Sequence, residues 1–164
     1  MRALEGKVAL VIGGTRGIGA AISRRMAADG ASVAIIYLSR SVHADNIASE
    51  LRDSGAAVYM VQADVSDPAA LTDAIGAIAS YFERLDVPVN VAGMAIVGAL
   101  ASYANDAFDR IFALNVTAPF LAAKAASKVM REGGVSSLSE ASWRTAFLVL
   151  AGRFTPPASR PLAA

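Results

Sequence analysis

Short unbroken apolar runs alternate along this chain with segments in which apolar residues return every three or four positions. The first run, Val8 to Ile12, is rich in Val and Ile and has the pattern of a strand covered on both faces. From Ile18 the rhythm becomes helical: Ile18, Ala21, Ile22, Met26 and Ala27 form one predicted face, Arg24, Arg25 and Asp29 the other, and Gly30 the stop. Further strands are predicted over 32–38, 57–63 and 87–91. A helix is expected over about 42–52. Another starts at Asp67-Pro68, with a carboxylate N-cap and proline in the first position, and runs through Leu71, Ile75, Ile78 and Phe82 to near Arg84. Strands alternating with helices of this length imply parallel βαβ units with right-handed crossovers.

The following helix breaks the apolar rule at one place. Phe108, Ile111, Phe112, Asn115 and Pro119 share a stripe, so an amide stands where an apolar core residue is expected. A buried amide is costly unless partnered. Pro119 has no N–H, which leaves the carbonyl of Asn115 without its helical hydrogen bond. The alternatives are a carbonyl aimed at a functional group and an Asn satisfied by neighbouring backbone in a kinked helix.

Composition narrows the picture. The chain has 164 residues, enough for one domain, is 55% hydrophobic and carries a net charge of +1. Its basic residues are scattered, which argues against nucleic acid or an acidic membrane surface. The longest charge-free stretch, Val87 to Asn105, contains Pro88, Asn90, Gly93 and Gly98, which argues against a membrane span. There is no cysteine, so disulfides, thiol catalysis and cysteine metal sites are out, and the cytosol is the default compartment. The single histidine, His43, lies next to a turn with no ligands at metal spacing, so no metal site is expected.

The candidate chemistry lies in the turn between the first strand and helix. Glycines 13, 14, 17 and 19 allow positive φ and close backbone approach, and a helix N-terminus offers unpaired N–H groups with partial positive charge. Together they suit the pyrophosphate of a nucleotide. A nucleotide-hydrolase phosphate loop is excluded because no Gly-Lys-Ser/Thr follows.

Gly13, Gly17 and Gly19 read G-x-x-x-G-x-G, and from here the chain resembles the short-chain dehydrogenase/reductase family. The likeness continues through Ala63-Asp64-Val65, Leu85 to Gly93 and Phe108 to Val116, and covers residues 1 to about 134. Ile12 stands where the family commonly has Thr, and Val91 where it has the second Asn of Asn-Asn-Ala-Gly. The resemblance implies a doubly wound α/β Rossmann domain of four or five parallel strands in order 3-2-1-4, with a nicotinamide dinucleotide across the carboxyl edge. Gly13, Thr15, Arg16, Gly17, Ile18 and Gly19 would hold it at the glycine turn, Asp64 and Val65 at the adenine, and Asn90, Ala92 and Gly93 along the central strand. Asn115 matches the family's Asn that holds a water of the proton relay, a remnant of its catalytic set.

The end of the second strand points to the cofactor. An NAD site usually carries an acidic residue there, but this chain has Leu38, Ser39, Arg40 and Ser41. Ser39, Arg40 and Arg16 suit an adenosine 2′-phosphate, so NADP is favoured over NAD. The alternative is that Arg40 only decorates a helix start.

The family's proton donor is absent. Tyr37, Tyr59, Tyr81 and Tyr103 are followed four residues later by Ser41, Ala63, Leu85 and Ala107, and none of Lys7, Lys124 and Lys128 completes a Y-x-x-x-K. Hydride transfer needs a matching proton transfer. Residues 135–144 are polar, Thr145 to Gly152 is one apolar run, and Arg153 to Ala164 is a tail of Arg, Pro, Ser and Ala. The expectation is therefore an oxidoreductase of the family's type with an intact NADP(H)-binding half, inactive alone, and a truncated or frameshifted end at 135–164; the alternatives are a non-catalytic NADP-binding or dimerising subunit and a non-functional truncated product. The run Ala146 to Ala151 would serve as a fifth strand or a helix. The helix bearing Asn115 would then lack its family partner and expose Phe112, Val116 and Phe120, inviting association with a second copy or a full-length relative.

Overall fold

The structure is a computed structural model that describes residues 2–39, 41–130 and 137–138. Its sheet is parallel throughout, in order β3-β2-β1-β4-β5, with β1 at Val8–Ile12, β2 at Ser32–Tyr37, β3 at Val58–Gln62, β4 at Val87–Asn90 and β5 at Ser137–Leu138. Helices α1 (Gly17–Ala28) and α2 (Val42–Asp53) cover one face. Helices α3 (Pro68–Phe82) and α5 (Ala118–Val129) cover the other. A fifth helix, α4 (Asn105–Phe112), leads into α5 through a π turn at Ala113–Thr117.

Covering on both faces explains the unbroken apolar runs. All five residues of β1 are buried. Leu10, Ile12, Ala34 and Ile36 pack under Leu71, Ile75 and Ile78 of α3 and Ala118, Ala122 and Ala126 of α5. Val33 and Ile35 face Ala20 and Ala27 of α1 and Ile47 and Leu51 of α2. The start of α3 is as expected: Asp67 Oδ1 accepts from the Ala69 N–H at 2.9 Å, with Pro68 in the first turn.

Three expectations are corrected. The buried face of α1 is Gly19, Ala20, Ser23 and Ala27, while Ile18 is 73% exposed and Ala21 lies outside. The helix runs so close to the glycine turn and to β1–β2 that only small side chains fit beneath it, and the bulkier apolar residues are displaced to its flank or beyond. In α4 the stripe is not a core face either: the helix buries no residue, and Phe108 and Phe112 stand 53% and 48% exposed with their rings 5.2 Å apart. Ala107 and Ile111 are only half-buried, so apolar spacing in this helix covers no core. Finally, β5 is Ser137–Leu138, paired with Val89 and Asn90, inside the polar stretch 135–144 and not in the apolar run that follows it. Pairing is made by backbone groups, which hydropathy does not report. The run 146–151 lies outside the described residues.

Candidate functional site

The carboxyl ends of β1, β2, β3 and β4 open on one edge, and the topology brings the predicted binding residues of the glycine turn and of the ends of β2, β3 and β4 that the structure describes to that edge. The glycine turn leaves β1 at Gly13, whose φ of +84° suits glycine and whose added Cβ would lie 3.0 Å from the Ala92 nitrogen. A Cβ at Gly19 would lie 2.1 Å from the Gly13 carbonyl oxygen, so the turn and the first turn of α1 touch backbone to backbone. At Gly17 the space is open. Helix α1 begins after Arg16 with no side-chain cap and no acidic residue in its first turn. Among the described residues, the N–H groups of Gly14, Thr15 and Arg16 find no hydrogen-bond acceptor. Free donors, a helix N-terminus and space beside Gly17 together fit a pyrophosphate.

β4 is locked beside this turn. Val91 and Ala92 both donate to the Ile12 carbonyl, at 2.9 and 3.0 Å, and the buried Asn90 donates from Nδ2 to the Ala92 carbonyl at 3.3 Å. Backbone bonds hold the strand end where Val91 has replaced an amide.

Asp64 and Val65 follow β3 directly. Val65 is buried against the core, while Asp64 is exposed and its Oδ1 accepts from the Ser66 hydroxyl at 2.7 Å and the Ser66 N–H at 2.9 Å. These two bonds, the hydroxyl first, outweigh the opposing effect of burial and hold the carboxyl below the usual Asp range. Its Oδ2 has no partner among the described residues. Leu38 and Ser39 are exposed beyond β2, with the Leu38 carbonyl accepting from Gln62 Nε2 at 3.2 Å. Arg16 is exposed and makes no ion pair among the described residues. Arg40 lies outside the described residues.

Asn115 sits in the π turn and is half-buried. Pro119 supplies the cause of that turn, since it cannot donate to the Asn115 carbonyl and the Ala118 N–H reaches back to Ala113 instead. The side chain forms a closed pair with one residue of the loop after β4: its Oδ1 accepts from the Met94 N–H at 2.9 Å and its Nδ2 donates to the Met94 carbonyl at 2.7 Å. A Cβ on Gly93 would come within 3.1 Å of that Oδ1. The amide is thus satisfied by neighbouring backbone, and it tethers the loop to the helix. Tyr103 adds a second tether to the same loop, donating to the Ile96 carbonyl at 2.6 Å.

Two residues that periodicity did not single out complete the frame. Ser23, fully buried on α1, holds the glycine turn from below. Asp86, 4% exposed, closes the opposite end of the sheet. It accepts from the Val8 N–H at 2.9 Å and, through both oxygens, from Arg84 at 2.7 and 2.8 Å, with Lys7 Nζ 3.7 Å away. Burial alone would raise its pKa, but Arg84, the Val8 N–H and the charges of Arg84 and Lys7 outweigh it and leave the carboxyl below the ordinary range. The available signal was a charge within an apolar segment just before a strand.

A parallel doubly wound sheet with a glycine turn at its carboxyl edge defines a dinucleotide-binding α/β protein. The chain matches the short chain dehydrogenase family pattern over residues 7–138. It belongs to that family of oxidoreductases. An uncharacterized oxidoreductase of Methylorubrum extorquens is 41% identical over 134 residues, covering 82% of this chain and 54% of the relative. Among solved structures, a short chain dehydrogenase of Burkholderia cenocepacia in complex with NADP superposes with a TM-score of 0.81 at 36% identity, over 93% of this chain and 64% of that one. A blue fluorescent protein from a metagenomic library, in complex with NADPH, gives 0.79 at 42% identity, over 82% of this chain and 56% of the other. The chain spans about half the length of the curated relatives it matches. No described helix is long and apolar enough to cross a membrane, and no metal-binding cluster occurs among the described residues.

Proposed function

We propose that this chain is the cofactor-binding half of a short-chain dehydrogenase/reductase, that it binds NADP(H), and that the 164-residue polypeptide alone carries out little or no turnover. The observation that carries the binding reading is the row of unpartnered N–H groups over an uncapped α1, in a turn whose backbone packs closely at Gly13 and Gly19 and stays open at Gly17. In this reading Gly13, Thr15, Arg16, Gly17, Ile18 and Gly19 hold the pyrophosphate. Asp64 offers its free oxygen to the adenine amino group, and Val65 forms the wall beside it. Asn90, Ala92 and Gly93 line the nicotinamide half. Ser39, Arg40 and Arg16 receive the 2′-phosphate, and the lack of an acidic residue after β2 favours NADP over NAD. The NADP and NADPH complexes of the two solved relatives support this choice.

Bound NADPH would supply a hydride for a carbonyl substrate. The matching proton has no donor in Tyr-x-x-x-Lys spacing here, and Asn115, with both side-chain groups given to Met94, moves none itself. Its role in this reading is to fix the loop after β4 and, through its main-chain carbonyl, to hold a water.

Thermal unfolding with and without excess nucleotide tests the reading. Ligand at ~100 times its dissociation constant adds about 2.7 kcal/mol, which raises the midpoint of a domain this size by roughly 5–10 °C. NADPH is expected to raise it more than NADH, and a panel of carbonyl compounds to produce no steady NADPH oxidation. A midpoint that neither nucleotide moves refutes the binding claim, and steady turnover by the pure chain refutes the second.

The exposed Phe108, Phe112 and Phe120 favour one addition, in which α4 and α5 of two copies of this chain pack together. Sedimentation equilibrium of the pure chain tests it, with a concentration-independent monomer as the opposing result.

A further inference from the structure

Ser23 is a hydroxyl in an apolar place. It is fully buried in the second turn of α1, beneath the glycine turn and against β1 and β2. Its Oγ lies 3.1 Å from the Gly14 carbonyl oxygen and 3.0 Å from that of Gly19. The Gly19 contact is the ordinary bond of a helical serine to the carbonyl four residues earlier. The Gly14 contact is different, because it reaches out of the helix and takes hold of the turn. The hydroxyl has one proton, so the two carbonyls share it. Ser23 and Gly14 are in close contact: a Cβ on Gly14 would come within 2.7 Å of Ser23 Oγ and 3.0 Å of the Val11 Cβ.

The bond decides where the next donor points. In a trans peptide the carbonyl of one residue and the N–H of the next are antiparallel, and the chain contains no cis bond. With the Gly14 carbonyl drawn inward to Ser23, the Thr15 N–H faces outward, away from the core. It has no acceptor among the described residues. Apolar packing would not need a hydroxyl here. Without it the Gly14 carbonyl would lose its buried partner and the peptide would gain a reason to turn over.

We infer that Ser23 is a positioning residue for the nucleotide: it turns the Gly14–Thr15 peptide so that the Thr15 N–H is presented to a phosphate oxygen of the bound dinucleotide. The inference rests on the dinucleotide reading above. It adds a residue that touches no ligand and acts through the peptide it holds.

Backbone amide resonances of the full chain, followed during titration with NADPH, test it. In the natural chain the Thr15 amide should move together with those of Asp64, Val65, Ala92 and Gly93. In Ser23→Ala the Thr15 response should be lost while the other four persist, and NADPH affinity should fall by roughly tenfold, as for the loss of one hydrogen bond to a charged group. Ser23→Cys, with its weaker donor, should lie between. A purely structural serine would weaken all five responses together. Inorganic pyrophosphate and adenosine 2′-phosphate, titrated separately, identify which phosphate moves Thr15. If Thr15 stays still in the natural chain while the other four move, or if Ser23→Ala keeps its Thr15 response, the inference is overturned and the nucleotide reading stands. If no amide responds to NADPH or NADH, both fall. Should Ser23→Ala fail to fold, the natural chain and Ser23→Cys decide.

Discussion

The two ends of the central strand β1 are built in opposite ways. At its amino end the Val8 N–H, the Asp86 carboxylate, Arg84 and Lys7 form a network in which every buried polar atom is used. At its carboxyl end Gly14, Thr15 and Arg16 leave their N–H groups without acceptors. The contrast separates holding a sheet together from holding a ligand. A closed network lowers the energy of the fold now, whereas open donors are useful only if something arrives to fill them.

The largest effect is expected at Gly19. Gly19→Val puts a Cβ where the Gly13 carbonyl oxygen stands, and the overpacking should cost at least about 3 kcal/mol. Calorimetry should show a midpoint lower by roughly 6–12 °C, with any shift by NADPH abolished. Next comes Asp86→Ala, which leaves the Val8 N–H and Arg84 without their acceptor and should cost about 2–4 kcal/mol. Because it acts at the far end of the sheet, its NADPH affinity should match that of the natural chain, and an equal loss at both ends would erase the distinction.

Acid acts on the closed end of the sheet. The folded Asp86 carboxyl titrates below its unfolded value, so near pH 4 the unfolded chain binds more protons. The stabilisation is complete above the unfolded pKa of about 3.9 and is lost as pH falls through the lower folded value. Denaturant midpoints measured between pH 6 and pH 3 should therefore drop steeply in the natural chain and more shallowly in Asp86→Asn. Asp64 adds a smaller contribution of the same sign through Ser66.

Smaller effects follow on the surface. Phe112→Ser should leave the midpoint of dilute protein nearly unchanged, since the ring is half exposed, while weakening self-association in the centrifuge. Arg24→Ala removes the exposed bidentate pair with Glu50 between α1 and α2 and should not move the midpoint beyond measurement error.

Much of this was legible in the order of residues. The runs at 8–12, 32–37, 58–62 and 87–90 reveal four strands because a strand covered on both faces has no polar alternation to hide it. Asp67-Pro68 marks the start of α3, and Pro119 the disturbance before α5, because capping and a missing N–H are local chemistry. The face of α1 was less legible. Spacing alone favours Ile18 and Ile22, but the close crossing over the turn selects Gly19, Ala20 and Ser23. The same limit applies to α4, whose regular stripe of Phe108 and Phe112 stays half exposed although its spacing is that of a core face.

The order of residues alone was enough for the doubly wound class, for the position of the glycine turn and for the lack of a Tyr-x-x-x-Lys within these 164 residues, since each depends on residues near one another in the chain. The hydrogen-bond partners emerge only in the folded chain. Asn115 meets Met94 across 21 residues, Asp86 meets Val8 across 78, and Ser23 meets the carbonyl of Gly14 from the next element. Hydrogen bonds are short-ranged and directional, so which donors are spent and which stay free is settled only when the sheet brings separate segments together.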